Sequence, residues 1–282
     1  MTAQGSANNK TPGDSVQLSR LEQIQIYLDS AKYYDARLSD KAIEYAEKAL
    51  HLSQIAGIPG YQADAYFYKG FAYYQKNDYN AALAFFNKAL QLRKQLNDTV
   101  GVASALNRIG NAYQLDGNYK QAFQLYQNAL YFIKETLHHR EIARTYTNLG
   151  SVYQLFGDYK KAIHYHLKSL NIYDKKADEE GKAWSYLNIG RLFKKMGEYE
   201  KALKYINRSL SIYETIAREK GIKTGITLCL KEKGSIFHNL GDFDKALNYS
   251  FQTLEINKNT GNLYGVANAY SNIGTIYYRM KK

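Results

Sequence analysis

One register runs through almost the whole chain. Gly70, Gly110, Gly150, Gly190, Gly234 and Gly274 stand at intervals of 40, 40, 40, 44 and 40 residues, and Ser30 extends the series one step toward the N-terminus. Three residues after each glycine comes an aromatic: Tyr73, Tyr113, Tyr153, Phe193, Phe237 and Tyr277. Twelve after each marker comes an alanine, from Ala42 and Ala82 through Ala122, Ala162 and Ala202 to Ala246. Twenty after it comes a leucine, from Leu50 to Leu254. Self-similarity at a fixed period of 20–50 residues specifies an array of stacked units, each too small to bury its own apolar face.

Within a period the apolar residues recur at helical spacing, as in Ala162, Ile163, Leu167, Leu170 and Ile172, so each unit reads as two helices. Only two prolines occur in 282 residues, which suits a chain that is helical almost throughout. Gly117-Asn118-Tyr119, Gly157-Asp158-Tyr159, Gly197-Glu198-Tyr199 and Gly241-Asp242-Phe243 mark the turns. Glycine there can take the left-handed conformation that ends a helix, and Asn118, Asp158 and Asp242 are expected to cap the next one. Small residues at the marker and at the alanine let two helices approach closely, with the aromatic beside them.

A glycine, an aromatic three residues later and an alanine twelve residues later resembles the tetratricopeptide repeat (TPR) pattern. The resemblance runs from about Leu18 to the C-terminus. It departs from the usual 34-residue unit in its period and in lacking the closing proline, and is similar to the longer-helix variety of kinesin light chain and bacterial signalling arrays. The resemblance implies an all-α fold, a right-handed superhelical solenoid of antiparallel helix pairs with about six repeats plus a terminal helix. The solenoid is expected to occupy residues 17–282, with a partial seventh repeat at Gly274, behind a disordered segment, 1–16.

The 44-residue spacing adds about one helical turn, which predicts a longer helix or connection near Ile216–Ile226. Cys229 lies five residues before its glycine, where other repeats carry Ala65, Ala105, Thr145, Ser185 and Ala269, so it reads as a packing residue. Lys281 and Lys282 stand where another turn would begin. Tyr270, Ile273 and Tyr277 are therefore expected to face outward from the terminal helix, suggesting a fragment of a longer protein or self-association through that helix.

Composition excludes several classes. No apolar run approaches the ~20 residues that cross a bilayer, and the polar N-terminus lacks a signal-peptide core. A cytoplasmic protein is the expectation, with a periplasmic fragment of a larger signalling protein as the alternative. There is no phosphate-binding glycine run, GxSxG or HExxH. His164 and His166 are two apart and point to different sides of a helix, and His166 falls in the slot of Phe86 and Tyr126, so a packed imidazole is expected. His138 and His139 fall in a connection. No catalytic residue, metal site or cofactor is expected.

In the TPR family the groove-lining positions lie one, four and five residues after the marker and two, three and six before it. Carried onto this chain, they give a groove that is aromatic near the N-terminus: Tyr34, Phe67, Phe71 and Tyr74. Amides and some charge follow at Asn107, Asn111, Gln114, Arg144, Asn148 and Gln154. The last part is basic: Asn188, Arg191, Lys194, Lys195, Lys231 and Asn272. Of the net charge of +12, +9 lies in residues 181–282. In peptide-binding relatives an asparagine two before the glycine often bonds the ligand backbone; Asn148, Asn188 and Asn272 fit, while Tyr68, Arg108 and Glu232 depart. Leu230-Lys-Glu-Lys-Gly-Ser235 resembles the chaperone-binding carboxylate clamp only in part. Arg191, Lys194 and Lys195, close on one helix, are the better candidates for an acidic ligand.

The expectation is a non-catalytic scaffold that binds a protein or peptide, acidic at one end, without membrane insertion. It would serve as the sensory or regulatory region of a bacterial signalling protein. The competing class is a helical-repeat binder of RNA or single-stranded nucleic acid, against which stands the lack of a recurring polar code. An aspartyl-phosphate phosphatase is the enzymatic alternative, and here only about twenty irregular residues precede the array where those enzymes carry a helical bundle.

Overall fold

The computed structural model describes residues 12–34 and 38–281. Thirteen helices and no strand occur among the described residues. They fall into two compact units, one up to Glu141 and one from Ile142. The first contains α1 (Pro12–Tyr33), α2 (Ser39–Ile55), α3 (Pro59–Gln75), α4 (Tyr79–Gln95), α5 (Thr99–Leu115) and α6 (Tyr119–Ile133). The second begins within α7 (His139–Leu155). It continues through α8 (Tyr159–Lys175), α9 (Glu179–Lys195), α10 (Tyr199–Lys220), α11 (Thr224–Asn239), α12 (Phe243–Asn259) and α13 (Leu263–Met280). Within each unit successive helices pack in chain order, as an all-α tetratricopeptide-type solenoid requires. Of the segment 1–16, residues 1–11 lie outside the described residues, and α1 opens at Pro12.

Four helix pairs close tightly on their marker glycine. A Cβ at Gly70 would stand 2.8 Å from the Phe86 ring, at Gly110 2.5 Å from Tyr126, at Gly150 2.9 Å from His166 and at Gly190 2.7 Å from Ile206. The side chain sixteen residues on therefore plugs the space that the missing Cβ leaves, at the density of a protein interior. Beside it the aromatic three residues after the glycine stacks on a ring of the second helix. Tyr73–Phe85, Tyr153–Tyr165, Phe193–Tyr205 and Phe237–Tyr249 have centroids 5.3–5.6 Å apart. Such offset pairs add to the free energy of area burial.

The turns follow the sequence in part. Gly117, Gly157, Gly197 and Gly241 take positive φ, 77–82°. Asp158 and Asp242 accept from the N–H groups of Lys161 and Lys245. Asn118 corrects the expectation: it makes no cap bond, and its amide donates instead to Gln121 Oε1 at 3.0 Å. Asn77, Asn97 and Ala177 hold left-handed backbone at other turns. The 44-residue interval appears as a longer α10, 22 residues against 17 in α8, ended by Gly221 at φ 72°. His139 is not in a connection but opens α7.

Cys229 is fully buried, with Sγ 3.4 Å from Ser209 Oγ, and burial pushes its thiol up to about 11. It is no thiolate at neutral pH and fits the packing role. Ile273 does not face outward as expected: it is buried against Leu254 and Ala269, because α13 turns this side toward α12. Tyr270 and Tyr277 of the same helix are exposed.

Candidate functional site

In the first unit the aromatic candidates are half-buried, and each lies against another ring. Tyr34 stacks on Tyr45 at 5.6 Å, Phe67 tilts against Phe86 at 5.7 Å, and Phe71 stacks on Tyr74 at 6.4 Å. The Arg108 guanidinium lies 4.6 Å from the Phe71 ring centroid, so a cation covers part of this apolar wall. Asn107 is buried and donates to Glu141 Oε1 at 3.0 Å. Asn111 and Gln114 accept from the Tyr126 hydroxyl at 2.7 and 3.1 Å. Burial raises the pKa of that hydroxyl, so it stays a donor at neutral pH. These three amides are thus partly spent on the protein itself.

Arg93 reaches from α4 to Asp64 of α3 and, at 2.7 Å, to Asp98, the N-cap of α5. Burial raises the Asp64 carboxyl above its ordinary value, outweighing the lowering by Arg93. Sequence reasoning did not single out this three-helix tie.

In the second unit Arg144, Asn148 and Gln154 are half-buried on α7. Asn188 is buried and accepts from Arg191 Nη1 at 3.4 Å. Arg191 and Lys194 do come together, but on a carboxylate of the chain itself. Glu232 of α11 takes Arg191 Nε at 2.8 Å and Lys194 Nζ at 2.5 Å, and Lys194 also reaches Ser235 Oγ at 3.2 Å. Burial alone would raise the Glu232 carboxyl, yet the two cations outweigh it and hold the pKa below the ordinary value. Lys195, Lys231 and Asn272 are exposed, and among the described residues no ion pair forms to Lys195 or Lys231. Lys194, Lys231 and Asn272 meet around one cavity of about 210 Å³, together with Glu232, Ser235 and His238.

Sequence reasoning noted Glu232 only as a departure from asparagine and missed the cavity altogether. The signal was available: the plug series Phe86, Tyr126, His166 and Ile206 ends in Ser250. Among the described residues no cluster of His, Cys, Asp or Glu could hold a metal, and no helix is long and apolar enough to cross a membrane.

Tetratricopeptide repeat family models match residues 63–96, 101–175 and 141–215. The chain belongs to the tetratricopeptide repeat family. The TPR fold is in general a protein-interaction scaffold, and TPR families are generally non-enzymatic. No curated protein matches this TPR sequence. Among solved structures, BtubC (BKLC) from P. vanneervenii is similar at 17% identity and a TM-score of 0.63, over 86% of this chain and 92% of that one. Aspartyl phosphate phosphatase F from Bacillus subtilis is similar at 17% identity and a TM-score of 0.65, over 97% and 74%. A STAND signal-transduction ATPase with a tetratricopeptide repeat sensor, from Pyrococcus horikoshii, is similar at 16% identity and a TM-score of 0.69. That match covers 94% of this TPR chain and 40% of the ATPase. At such identities the likeness is one of fold.

Proposed function

We propose that the chain is a non-catalytic scaffold that binds an extended acidic peptide or partner segment along the first-helix face of its repeats. The observation that carries this reading is the pair Lys195 and Lys231, exposed beside a Glu232-anchored Arg191 and Lys194. The anchored pair is held in place at little further entropic cost on binding, while the exposed pair is available to a carboxylate. The half-buried aromatic wall of Phe67, Phe71 and Tyr74 in the first unit supports apolar anchoring of a ligand.

Titration of labelled acidic, neutral and basic peptides by fluorescence polarisation tests this. Acidic peptides should bind more tightly than neutral ones, weaken with salt, and lose that preference in the Lys195→Glu, Lys231→Glu double variant. Equal binding of all three peptide classes would end the proposal. A basic face also suits nucleic acid, so a labelled single strand belongs in the same titration. The strand binding more tightly than every peptide would transfer the reading to that class.

The finer form of the proposal is a sensory or regulatory role within a signalling protein. Its support is the fold shared with the tetratricopeptide repeat sensor of the STAND ATPase. Identification of the co-purified partner by mass spectrometry checks it, and a partner with no signalling domain would count against it.

A further inference from the structure

Five helix pairs can be compared at the slot facing the marker glycine. In four of them the residue sixteen later fills it: Phe86, Tyr126, His166 and Ile206. In the α11–α12 pair that residue is Ser250. A Cβ at Gly234 would meet nothing closer than 3.5 Å, from Tyr249 Cβ, with Ser250 Oγ at 3.7 Å. The space a plug would take is part of the cavity of about 210 Å³, which Gly234 and Ser250 both line. A cavity of roughly 150 Å³ lined by apolar groups is large enough to take up benzene.

The chain itself displays an occupant for a slot of this kind. At Gly110 it is the phenol of Tyr126, whose hydroxyl donates to the residues one and four after the glycine, Asn111 and Gln114. The residues one and four after Gly234 are Ser235 and His238, and both line the cavity. Ser235 Oγ accepts from Lys194 and keeps its own proton to donate. His238 Nε2 is buried and has no hydrogen-bond partner among the described residues. The other hydroxyls in the wall, Ser250, Thr253 and Thr275, donate to carbonyls of their own helices. Ala269 and Ile276 supply apolar surface from α13.

We propose that this cavity binds a phenol ring, the ring against Gly234 and α13 and the hydroxyl between Ser235 and His238. The phenol O–H would donate to His238 Nε2, in the tautomer that carries its proton on Nδ1, and its oxygen would accept from Ser235. This site does not depend on the peptide reading above, since a free phenol probes the cavity whether or not the groove takes a peptide.

Calorimetric titration of the full chain with p-cresol and with toluene tests the proposal. p-Cresol should bind about tenfold more tightly than toluene, the difference made by paired against unpaired polar groups. Ser250→Ile restores the plug of the preceding pair and should abolish binding of both probes. His238→Phe keeps the bulk and should bring p-cresol down to the affinity of toluene. It decides the matter if Ser250→Ile fails to fold by circular dichroism. Absence of p-cresol binding at about 10 mM, an unchanged preference in His238→Phe, or full binding by a folded Ser250→Ile would each overturn the site. A tyrosine-containing peptide that displaces p-cresol, where its phenylalanine counterpart does not, makes a partner's side chain the source of the phenol. p-Cresol binding with no such displacement assigns the cavity to a free phenolic molecule.

Discussion

The imidazole of His166 lies so close over Gly150 that a Cβ on the glycine would stand 2.9 Å from its Cε1 and Nε2. The ring fills the slot of Phe86 and Tyr126, and its Nδ1 is buried without a partner. Burial pushes its pKa down from 6.5 to about 4. Between those values the unfolded chain binds more protons than the folded one. The stability this neutral ring supports is therefore full above pH 6.5 and falls as pH drops toward 4, by up to about 3 kcal/mol. His166→Phe should flatten that stretch. Urea midpoints at pH 7 and pH 4.5 check it, the wild type losing more between the two than the variant does.

The marker glycines should not respond alike to alanine. At Gly110 the new methyl would press on Tyr126 at 2.5 Å, a ring held by two hydrogen bonds, and the loss should be about 1–3 kcal/mol. At Gly274 nothing lies within 4 Å, so Gly274→Ala should gain from helix propensity, by up to about 1 kcal/mol. Thermal midpoints of the two variants should move in opposite directions. A matching fall in both would mean that helix propensity and crowding do not set the response at these positions.

The repeat and its turns were legible because they depend on residue type at fixed spacing. A glycine every forty residues announces close helix approach, and Gly-Asp-Tyr announces a left-handed residue followed by a cap. The charge network was not legible, because Arg191 and Glu232 are 41 residues apart and meet only when one helix pair stacks on the next. From the sequence, the arginine is one of three cations on a helix turn. In the structure it is half of a pair, and Lys195 alone of the three stays exposed without an ion pair among the described residues. Ser250 was legible in principle, but a serine attracts attention only once its four counterparts are seen to fill a slot.

Ala177 holds φ at 52° between α8 and α9, at a turn. For a residue with a Cβ that conformation costs roughly 1–2 kcal/mol, and glycine escapes it. Ala177→Gly should stabilise the protein by about 0.5–1 kcal/mol, part of the relief being offset by greater freedom in the unfolded chain. The opposite change at the turn inside the repeat, between α7 and α8, Gly157→Ala at φ 79°, should destabilise it by a similar amount. Denaturant midpoints read both. A lower midpoint for Ala177→Gly would show that unfolded-state entropy outweighs the local strain.

Glu232 gives the test that separates anchoring from binding. Its carboxylate is nearly buried and neutralises Arg191 and Lys194, themselves only 26% and 20% exposed in their side chains. Glu232→Gln keeps the shape, removes the charge, and should cost about 1–3 kcal/mol at pH 7. Because the carboxyl is held below its ordinary 4.5, the stability it supplies is present above that value and lost as pH falls through the lower, folded one. The gap between wild type and variant should therefore close on acidification below 4.5. The substitution also leaves two cations without their internal partner. An acidic peptide should bind the folded variant more tightly than wild type, and a neutral peptide should not distinguish them. Unchanged affinity for both would leave Glu232 a stabilising contact only, with Arg191 and Lys194 outside the peptide's reach.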